Sequence, residues 1–384
     1  MKIENNLEKI LTDWFENEQI RNTDSFLKKY SPWNREEGKL LAQKFLNYTQ
    51  NKIDRDDKFS WFDIDPCYEE QGLNSLNKVP TNMHYGMPNQ IYGNIDEAGL
   101  FLCLVNPNVA VEDRYKSENI NEYYRYFLDK DKLDKSSNLN NFKDENAVMN
   151  HIVNLNENII SNEFNNFILN TTSPRNGKGL RSYSYYISKY FHKLLDDNFF
   201  DKLSKVFTQH DDISKIQDKM ANLKICNLES FPFRSKFPYV WKNNKGIGNK
   251  ILNTQSDVTL LSSRIIIRRI AKYLSLKNSD VKPYFCFRRY NYVWKNSLLT
   301  SLKEIVSENH SSSPSIAQEI LNYLEEEFFY YLIDKDHNTR GTGSISKTSL
   351  SRNDGKIRNY TDQGDLCLKE LRKAAGISDG SIFN

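Results

Sequence analysis

The sequence predicts an α/β fold, a three-layer sandwich in which a mostly parallel central sheet lies between two layers of helices. Three short apolar runs carry this prediction, at residues 99–105, 223–228 and 281–287, because each is continuous and ends at polar or turn-forming residues. Runs of this kind are typical of strands that are buried on both faces of a parallel sheet. Helical spacing of apolar residues before, between and after them supplies the covering layers.

Helical spacing is clear at the start of the chain, where apolar residues recur one turn apart: Leu7, Ile10, Leu11, Trp14 and Phe15. We therefore divide the chain into a helical N-terminal extension, residues 1–80, and an α/β domain, residues 81–384, with a helical insertion at about 115–220. Further helices are predicted at 256–276, 314–332 and 365–375. An aromatic stripe in the insertion is interpreted as core packing, with the members Tyr185, Tyr186, Tyr190 and Phe191.

Charge is unevenly distributed along the 384 residues. The net charge is only +3, which excludes a polycation, yet residues 264–295 hold nine Lys or Arg and a single acid, Asp280. Clustering of this kind indicates either a solvated helix face or a surface that binds nucleic acid. The sequence leaves both interpretations open.

Several classes of protein are excluded by what the sequence lacks. The first residues contain no long apolar segment, and no run of 18 apolar residues exists, so neither a signal peptide nor a membrane span is expected. The five cysteines are far apart and three lie in predicted strands, which predicts reduced thiols in a cytoplasmic protein. Neither the cysteines nor the six histidines show metal-ligand spacing, so no metal and no cofactor are expected.

Polar residues follow each predicted strand. Asn106-Pro107-Asn108 follows the first, Asn227 and Glu229 end the second, and Arg288-Arg289-Tyr290 follows the third. Because ligands of parallel sheets bind beyond the carboxyl ends of the strands, these side chains are candidates for one site. The Asn-Pro-Asn segment is either an ordinary turn or a rigid holder of two amides. Glu229 is a candidate general base, or else the partner of Arg234 or of a basic helix in an ion pair.

A segment rich in Ser, Thr and Gly occupies residues 337–352 and contains Arg340, Ser344, Ser346 and Lys347. Such a segment is either a surface loop or a holder of phosphate through its N–H groups, hydroxyls and cations. It is not a Walker loop, because the required order of Gly and Lys is missing.

Four segments together resemble the uracil-DNA glycosylase superfamily. They are PNQIYGNIDEAGL followed by FLCLVNPN (88–108), KICNLESFPFRSK (224–236), SRIIIRRI (263–270) with VKPYFCFRRYNYVW (281–294), and RGTGSISKTSLSRN (340–353). The resemblance covers about residues 85–360 and implies a uracil-DNA glycosylase-like α/β domain. It extends to larger, divergent bacterial members, which implies an action against phages whose DNA carries modified bases.

The chain departs from that family in three ways. Asn106 stands where the best-known members have Asp, Ser344-Ile345-Ser346 lacks the preceding histidine of the final motif, and the cysteines of the cluster-binding branches are missing. An amide cannot accept a proton from water as a carboxylate does, so the expected substrate is a modified or mismatched base and not plain uracil.

The resemblance implies a DNA glycosylase that flips its target base out of the duplex and leaves an abasic site without a metal. Asn106 would orient the attacking water, with Asn108 nearby, and Asn227 would read the base edge. Further base contacts are assigned to Pro107, Tyr115 and Phe231, and an aromatic such as Tyr115 or Phe231 would stack on the base. Phosphate contacts are assigned to Arg234, Ser235, Lys236, Arg340, Ser344, Ser346 and Lys347. The expected partner is phage or damaged duplex DNA.

Two alternatives stay open at this point. One is a non-catalytic nucleic-acid-binding or sensing protein on the same fold, which the replaced Asp and the absent histidine favour. The other is a different hydrolase, such as a nuclease or a nucleoside hydrolase. A nuclease normally needs clustered carboxylates for its metal ions, and the predicted strand ends hold no such cluster.

Overall fold

A central sheet with helices on both faces defines the architecture of this computed structural model. The structure describes the following residues: 2–49, 59–70, 87–107, 144–170, 180, 184–209, 213–234, 240, 246–276, 279–309, 314–333, 343–352, 360–377 and 380–384.

The sheet of the described residues has seven strands. They are β1 (Ile91–Tyr92), β2 (Leu100–Leu104), β3 (Val153–Asn154), β4 (Ile225–Glu229), β5 (Tyr284–Arg288), β6 (Phe329–Leu332) and β7 (Leu350–Ser351). Their order across the sheet is β3-β1-β4-β2-β5-β6-β7. The central four, β4, β2, β5 and β6, are mutually parallel, whereas β1 runs antiparallel to β4 and β7 antiparallel to β6. The sheet is therefore mixed, with a parallel centre.

Side chains of the central strands alternate between two apolar layers. Phe101 and Cys103 of β2 point to the first layer together with Phe285 and Phe287 of β5. Leu100, Leu102 and Leu104 of β2 point to the second layer together with Cys286 of β5. Because both faces are buried, the strands read as continuous apolar runs in the sequence. This arrangement is α/β and compatible with a three-layer sandwich.

Helices make up most of the rest of the described chain. In order they are α1 (Lys2–Phe15), α2 (Glu18–Arg21), α3 (Thr23–Tyr30), α4 (Glu36–Thr49), α5 (Cys67–Glu70), α6 (Glu145–Ile152), α7 (Ile159–Asn170), α8 (His192–Leu195), α9 (Phe199–Gln209), α10 (Ile213–Ala221), α11 (Ile247–Asn253), α12 (Asp257–Ser275), α13 (Tyr290–Val293), α14 (Lys295–Asn309), α15 (Pro314–Glu327) and α16 (Tyr360–Ala374). A π-helical turn at Ile187–Phe191 precedes α8.

The N-terminal helices belong to the first apolar layer and do not form a core of their own. Leu11, Trp14 and Phe45 lie in the same buried cluster as Phe101 and Phe287 of the sheet. Helix α1 packs on α12, which in turn contacts α14. The described helices of residues 2–49 thus share the core of the sheet. The predicted boundary at residue 80 lies outside the described residues.

Helix α12 shows how the basic cluster of the sequence is used. Ser256 caps its N-terminus by accepting a hydrogen bond from the N–H of Thr259, and Asp257 lies in the first turn. The predicted bounds of this helix, 256–276, are close to those observed. Its basic residues, however, do not form a solvated face.

Three arginines of α12 are buried and ion-paired. Arg269 contacts Asp280 at 2.7 Å and donates to the carbonyl oxygen of Ala98. Arg268 contacts Asp96 at 2.8 Å and donates to the carbonyl oxygen of Ile20. Arg264 pairs in the same way with Asp257 and Glu304. For these three residues both sequence interpretations, a solvated face and a nucleic-acid surface, are wrong, because a buried guanidinium must be satisfied internally.

The last part of the predicted helix 314–332 is also corrected. Helix α15 ends at Glu327, and residues 329–332 form β6. Phe329 points to the first apolar layer and Tyr330 to the second, which is the alternation of a strand. A run of consecutive apolar residues fits both helical and strand patterns, but aromatic residues favour strands.

Candidate functional site

The carboxyl ends of the central strands meet at one edge of the sheet. The chain passes from β2 to β4 on one side and then to β5 on the other side of β2. In open parallel sheets the crevice for a ligand forms where the strand order reverses, here beyond the ends of β2 and β5. Asn106 and Pro107 follow β2 at this edge, Glu229 ends β4, and Arg288 ends β5. The sequence prediction that these strand ends lie together is confirmed.

The strand register places the charged residues of this edge on one face. Glu229 lies opposite Leu104, and the pairing of Cys103 with Phe287 puts Leu104 opposite Arg288. Glu229 and Arg288 therefore belong to one row with one strand between them. At about 4.8 Å per strand their backbones are about 10 Å apart. Asn227 lies two residues before Glu229 and faces the same second apolar layer.

Asn227 and Glu229 form a buried hydrogen-bonded pair. The side-chain Nδ2 of Asn227 donates to Oε1 of Glu229 at 3.1 Å, and both residues are 0% exposed. The hydroxyl of Tyr186 donates to the same Oε1 at 3.4 Å. Among the described residues, Oε2 of Glu229 and Oδ1 of Asn227 have no hydrogen-bond partner. Buried polar atoms are nearly always paired, so these two atoms are unusual.

Burial raises the pKa of Glu229 to about 8. The hydrogen bonds from Asn227 and Tyr186 act in the opposite direction, as do the charges of Arg234 and Arg288. Desolvation of the charged carboxylate is the larger effect, so the neutral acid is the main form at neutral pH. The sequence alternatives for Glu229 were a base or an ion-pair partner of Arg234. Arg234 acts on Glu229 through its charge, while its Nε donates to the carbonyl oxygen of Met87 at 2.8 Å.

The β2 turn is fixed to the segment that follows β4. The Nδ2 of Asn106 donates to the carbonyl oxygens of Pro107 and Phe233, at 3.0 and 3.1 Å. The hydroxyl of Ser230 donates to the carbonyl oxygen of Val105. The amide nitrogen of Asn106 is thus used structurally, and a role in orienting water would fall on its amide oxygen. Asn108 lies outside the described residues.

A glycine allows the short strand β1 to approach β4. Gly93 follows β1 with a φ of +128°, and an ideal Cβ there would lie 2.5 Å from the backbone oxygen of Ile225. Only glycine fits such a close approach with this backbone conformation. Gly93 belongs to the first segment of the family resemblance, and its position supports β4 from the side opposite to β2.

A buried carboxylate anchors the residues that contact Glu229. Glu163 of α7 accepts the backbone N–H groups of Tyr185, Tyr186 and Ile187 at 2.7 to 2.8 Å. Burial raises the pKa of Glu163 to about 7, although the three N–H donors oppose this shift. The π-helical turn begins at Ile187, and such turns are frequent at functional sites. Glu163 therefore fixes Tyr186 relative to Glu229.

Tyrosines and cations continue the site toward solvent. Arg288 donates from Nη1 to the hydroxyl of Tyr190 at 3.1 Å. Lys189 donates from Nζ to the hydroxyl of Tyr185 at 3.1 Å and lies 5.0 Å from the centre of its ring. The interpretation of the aromatic stripe as core holds for Tyr190 and Phe191, which are buried, whereas Tyr185 and Tyr186 are half-buried and line this edge.

The backbone is strained immediately after β5. Arg289 has a left-handed φ of 56°, which residues other than glycine rarely adopt. Such strain persists only where the surrounding structure holds it, and it is concentrated at functional sites. The strain thus lies at the strand end that carries Arg288.

The Ser-rich segment lies against the same π-helical turn. The N–H of Ile345 donates to the carbonyl oxygen of Tyr190 at 2.9 Å. Ser344 and Ser346 are buried, and the hydroxyl of Ser344 donates to that of Ser346 at 3.2 Å. Lys347 is exposed and lies 3.5 Å from Asp365. The structure therefore brings this segment to the site, but the two serine hydroxyls point inward and would need a rearrangement to reach a phosphate.

Some predicted site residues are not brought to this edge. Phe231 is fully buried in the first apolar layer, on the other side of the sheet from Glu229, so the structure does not place it next to the pair of Asn227 and Glu229. Pro107 is buried at the end of β2. The remaining predicted residues lie outside the described part of the chain: Asn108, Tyr115, Ser235, Lys236 and Arg340.

Sequence reasoning did not assign Lys189 and Glu163 to the site, and it interpreted Tyr185 and Tyr186 as core residues only. Their signal in the sequence is weak, because an aromatic stripe with an interspersed lysine fits a core helix equally well. Only the tertiary contact between the insertion and β4 reveals that Tyr186 faces Glu229.

The described residues contain no group of three or more His, Cys, Asp or Glu side chains arranged to hold a metal ion. None of the helices in the described ranges has the length and apolar composition needed to cross a bilayer. Comparison with known proteins returns no match: no family model, no curated protein and no solved structure shows significant similarity to this chain.

Proposed function

We propose that the chain is a DNA glycosylase of the uracil-DNA glycosylase type, which flips out a modified or mismatched base and hydrolyses its N-glycosidic bond without a metal. The observation that carries the proposal is the buried pair of Asn227 and Glu229, with one oxygen of each lacking a partner among the described residues. A polar base edge is a ligand that would satisfy both atoms. The family resemblance of the surrounding segments supports the same function.

The tyrosines support the binding of a flipped base. Tyr186 contacts Glu229 and keeps part of its surface in solvent, so it connects the buried pair with the outside. Tyr185 lies beside it, with the two ring centres 5.2 Å apart. Glycosylases hold an extruded base by stacking and by hydrogen bonds to its edge. In this proposal the two half-buried tyrosines supply the stacking that the sequence assigned to Tyr115 and Phe231.

Asn106 is the candidate for orienting the attacking water. It is half-buried at the end of β2, and its Nδ2 is held by two backbone carbonyls. This fixes the orientation of the amide oxygen, which is the acceptor that a water needs. An amide oxygen orients water without taking its proton, so the enzyme is expected to be slow on substrates without an activated leaving base.

Cations at the same edge support binding of the DNA backbone. Lys189, Arg234 and Arg288 are all partly exposed around the buried pair. Contacts of such residues with phosphates position a duplex without reading its sequence. Affinity for DNA is therefore expected to fall steeply with salt concentration.

The proposed substrate is a modified or mismatched base in phage or damaged DNA, in the cytoplasm. Asn106 in place of an Asp argues against plain uracil as the natural substrate. In this proposal Asn227 and Glu229 contact the base-pairing edge of a pyrimidine. This edge does not include C5. Cytosines with large groups on C5 are compatible with such a site, and the action against phages with modified DNA is proposed from the family resemblance.

The test is an abasic-site assay with the full chain. Duplexes that contain uracil, mismatches or hypermodified cytosines are incubated with the protein, and abasic sites are revealed by alkaline cleavage. Abasic sites are expected with at least one modified or mismatched duplex and not with unmodified DNA. Asn227→Ala is expected to abolish them, whereas Asn322→Ala, on the exposed face of α15, serves as the matched control. Absence of abasic sites from every duplex would overturn the proposal.

A non-catalytic DNA-binding protein is the second candidate. The observation that favours it is that the side-chain Nδ2 of Asn106 donates to two backbone carbonyl oxygens and so has a structural role. It predicts binding to DNA, measured by fluorescence anisotropy, with no abasic sites from any duplex. Binding that Asn106→Ala leaves intact while base release is lost would instead support the glycosylase.

A further inference from the structure

We propose that Glu229 acts as a neutral carboxylic acid that donates a hydrogen bond from Oε2 to the target base, while Oδ1 of Asn227 accepts one from the same base edge. This inference rests on the proposed function and names the chemistry of its base-binding pair. It assigns Glu229 a role different from the general base that the sequence suggested.

The hydrogen bonds of the pair fix which oxygen carries the proton. Oε1 of Glu229 accepts from Nδ2 of Asn227 and from the hydroxyl of Tyr186. A neutral carboxylic acid has one O–H group, and an oxygen that already accepts two donors is the carbonyl oxygen. The proton therefore belongs on Oε2, which has no partner among the described residues.

The same contacts fix the function of Asn227. Its Nδ2 donates to Glu229, so its Oδ1 is left as an acceptor and has no partner among the described residues. Both side chains are 0% exposed and face the second apolar layer from the same strand. The pair thus holds one donor and one acceptor on the same face of the sheet, two residues apart on β4.

The surroundings of Glu229 favour the neutral acid. Tyr185 and Tyr186, which directly precede the π-helical turn, act on Glu229 through hydrogen bonding or charge, and Arg288 of β5 and Arg234 of the segment after β4 act on it through their charges. Cys103 of β2 lies on the opposite face of the sheet, and its titration is also coupled to Glu229. The charges of the two arginines favour the carboxylate. Burial outweighs their charge and raises the pKa of Glu229 to about 8.

The ligand that fits such a pair is a nucleobase edge with an acceptor next to a donor. The ring nitrogen and amino group of cytosine or adenine have this pattern, and so do the carbonyl and ring N–H of uracil. When the bond between the sugar and the base breaks, its electron pair goes to the base and water supplies a hydroxyl to the sugar. The remaining proton of that water passes through solvent to the released base. A donor at the base stabilises this developing negative charge and keeps its own proton.

The first test is the pH dependence of base release in single-turnover assays with the full chain. If Glu229 acts as a donor, the rate of the wild-type protein falls about tenfold per pH unit above a pH of about 8. Glu229→Gln keeps a donor at the same place and is expected to retain base release without this alkaline decline. Glu229→Ala is expected to reduce the rate roughly 10- to 100-fold.

The general-base alternative predicts the opposite result. Under this alternative, the rate of base release by the wild-type protein rises as the pH increases through about 8. Glu229→Gln is then inactive, because an amide cannot accept the proton of water. That outcome, with Glu229→Gln shown to be folded by circular dichroism, would overturn the donor role.

A second test does not depend on activity. Infrared difference spectra of wild type and Glu229→Gln at neutral pH are expected to show the carbonyl band of a buried protonated carboxyl, assigned by its absence from the variant. Glu163→Gln identifies the contribution of the other buried glutamate. If no DNA yields abasic sites, the proposed function fails. The donor role of Glu229 is then still decided by the infrared band, together with the binding of free cytosine, adenine and uracil. Absence of the band overturns the donor role.

Discussion

Glu229 couples the stability of the protein to pH. Its pKa is raised from 4.5 to about 8, so the folded state holds a proton that the unfolded state has lost. The contribution is therefore fully present below the unfolded value and is lost as the pH rises through about 8. The slope is at most about 1.4 kcal/mol per pH unit.

Urea unfolding between about pH 5 and about pH 8 measures this dependence. The free energy of unfolding of the wild-type protein is expected to fall over this range, and Glu229→Gln is expected to have a flatter profile. Parallel profiles of the two proteins would show that Glu229 does not bind a proton on folding.

Arg269 is a second residue whose burial has a measurable consequence. Its guanidinium is 0% exposed, contacts both oxygens of Asp280 and donates to the carbonyl oxygens of Ala98 and Val281. Arg269→Met removes the ion-pair partner of Asp280 and the donor to two carbonyls, and the expected loss is about 3 to 5 kcal/mol.

Arg21→Met is the matched control for Arg269, because the Arg21 side chain is 68% exposed and lies 4.0 Å from Glu16. Its expected cost is below about 1 kcal/mol. Thermal or urea unfolding of both variants measures the difference. Similar losses for the two substitutions would contradict a special role of the buried guanidinium.

The π-helical turn depends on one side chain from another element. Glu163→Gln replaces one of the oxygens that accept the N–H groups of Tyr185, Tyr186 and Ile187. The expected cost is about 1 to 3 kcal/mol, with faster hydrogen exchange at these three amides. Glu97→Gln, at an exposed glutamate, is the control. Unchanged exchange at residues 185–187 would show that the turn is held by other contacts.

The sequence predicts elements well where one local pattern decides. The runs of β2, β4 and β5 are continuous, apolar and ended by polar residues, and Ser256 marks the start of α12. It fails where tertiary pairing decides. Phe329–Leu332 continues the apolar pattern of α15, so the strand β6 depends on its pairing with β5.

The candidate site was predictable only in part for the same reason. Asn227 and Glu229 could be placed together because residues two apart on a strand share a face. Arg264, Arg268 and Arg269 look like a surface cluster because their acidic partners, such as Asp96 and Glu304, are remote in sequence. The contact between Tyr186 and Glu229 spans 43 residues and leaves no local pattern.

The whole molecule is expected to unfold as one unit. Gln90 links its parts: its Oε1 accepts from Trp33 of the N-terminal helices, its Nε2 donates to the carbonyl oxygen of Val258, and its carbonyl oxygen accepts from the N–H of Glu229. The N-terminal helices and the sheet also share one apolar cluster. Cooperative unfolding follows from such a shared core.

Coincident transitions test this expectation. In a variant in which Trp33 is the single remaining tryptophan, two signals are expected to change at the same urea concentration. They are the fluorescence of Trp33 and the far-ultraviolet circular dichroism of the whole chain. A fluorescence transition that precedes the loss of circular dichroism would show that residues 1–49 unfold separately.

The two ends of the sheet set a limit on how the chain can be shortened. Among the described residues the outermost strands, β3 and β7, have two residues each, and β7 covers the aromatic strand β6. Short edge strands protect a sheet from pairing with another molecule. A chain cut before Leu350 would present Phe329–Leu332 as an open, aromatic edge and is expected to form oligomers on size-exclusion chromatography. Aggregation, and not loss of the candidate site, would then limit how much soluble protein a shortened chain yields.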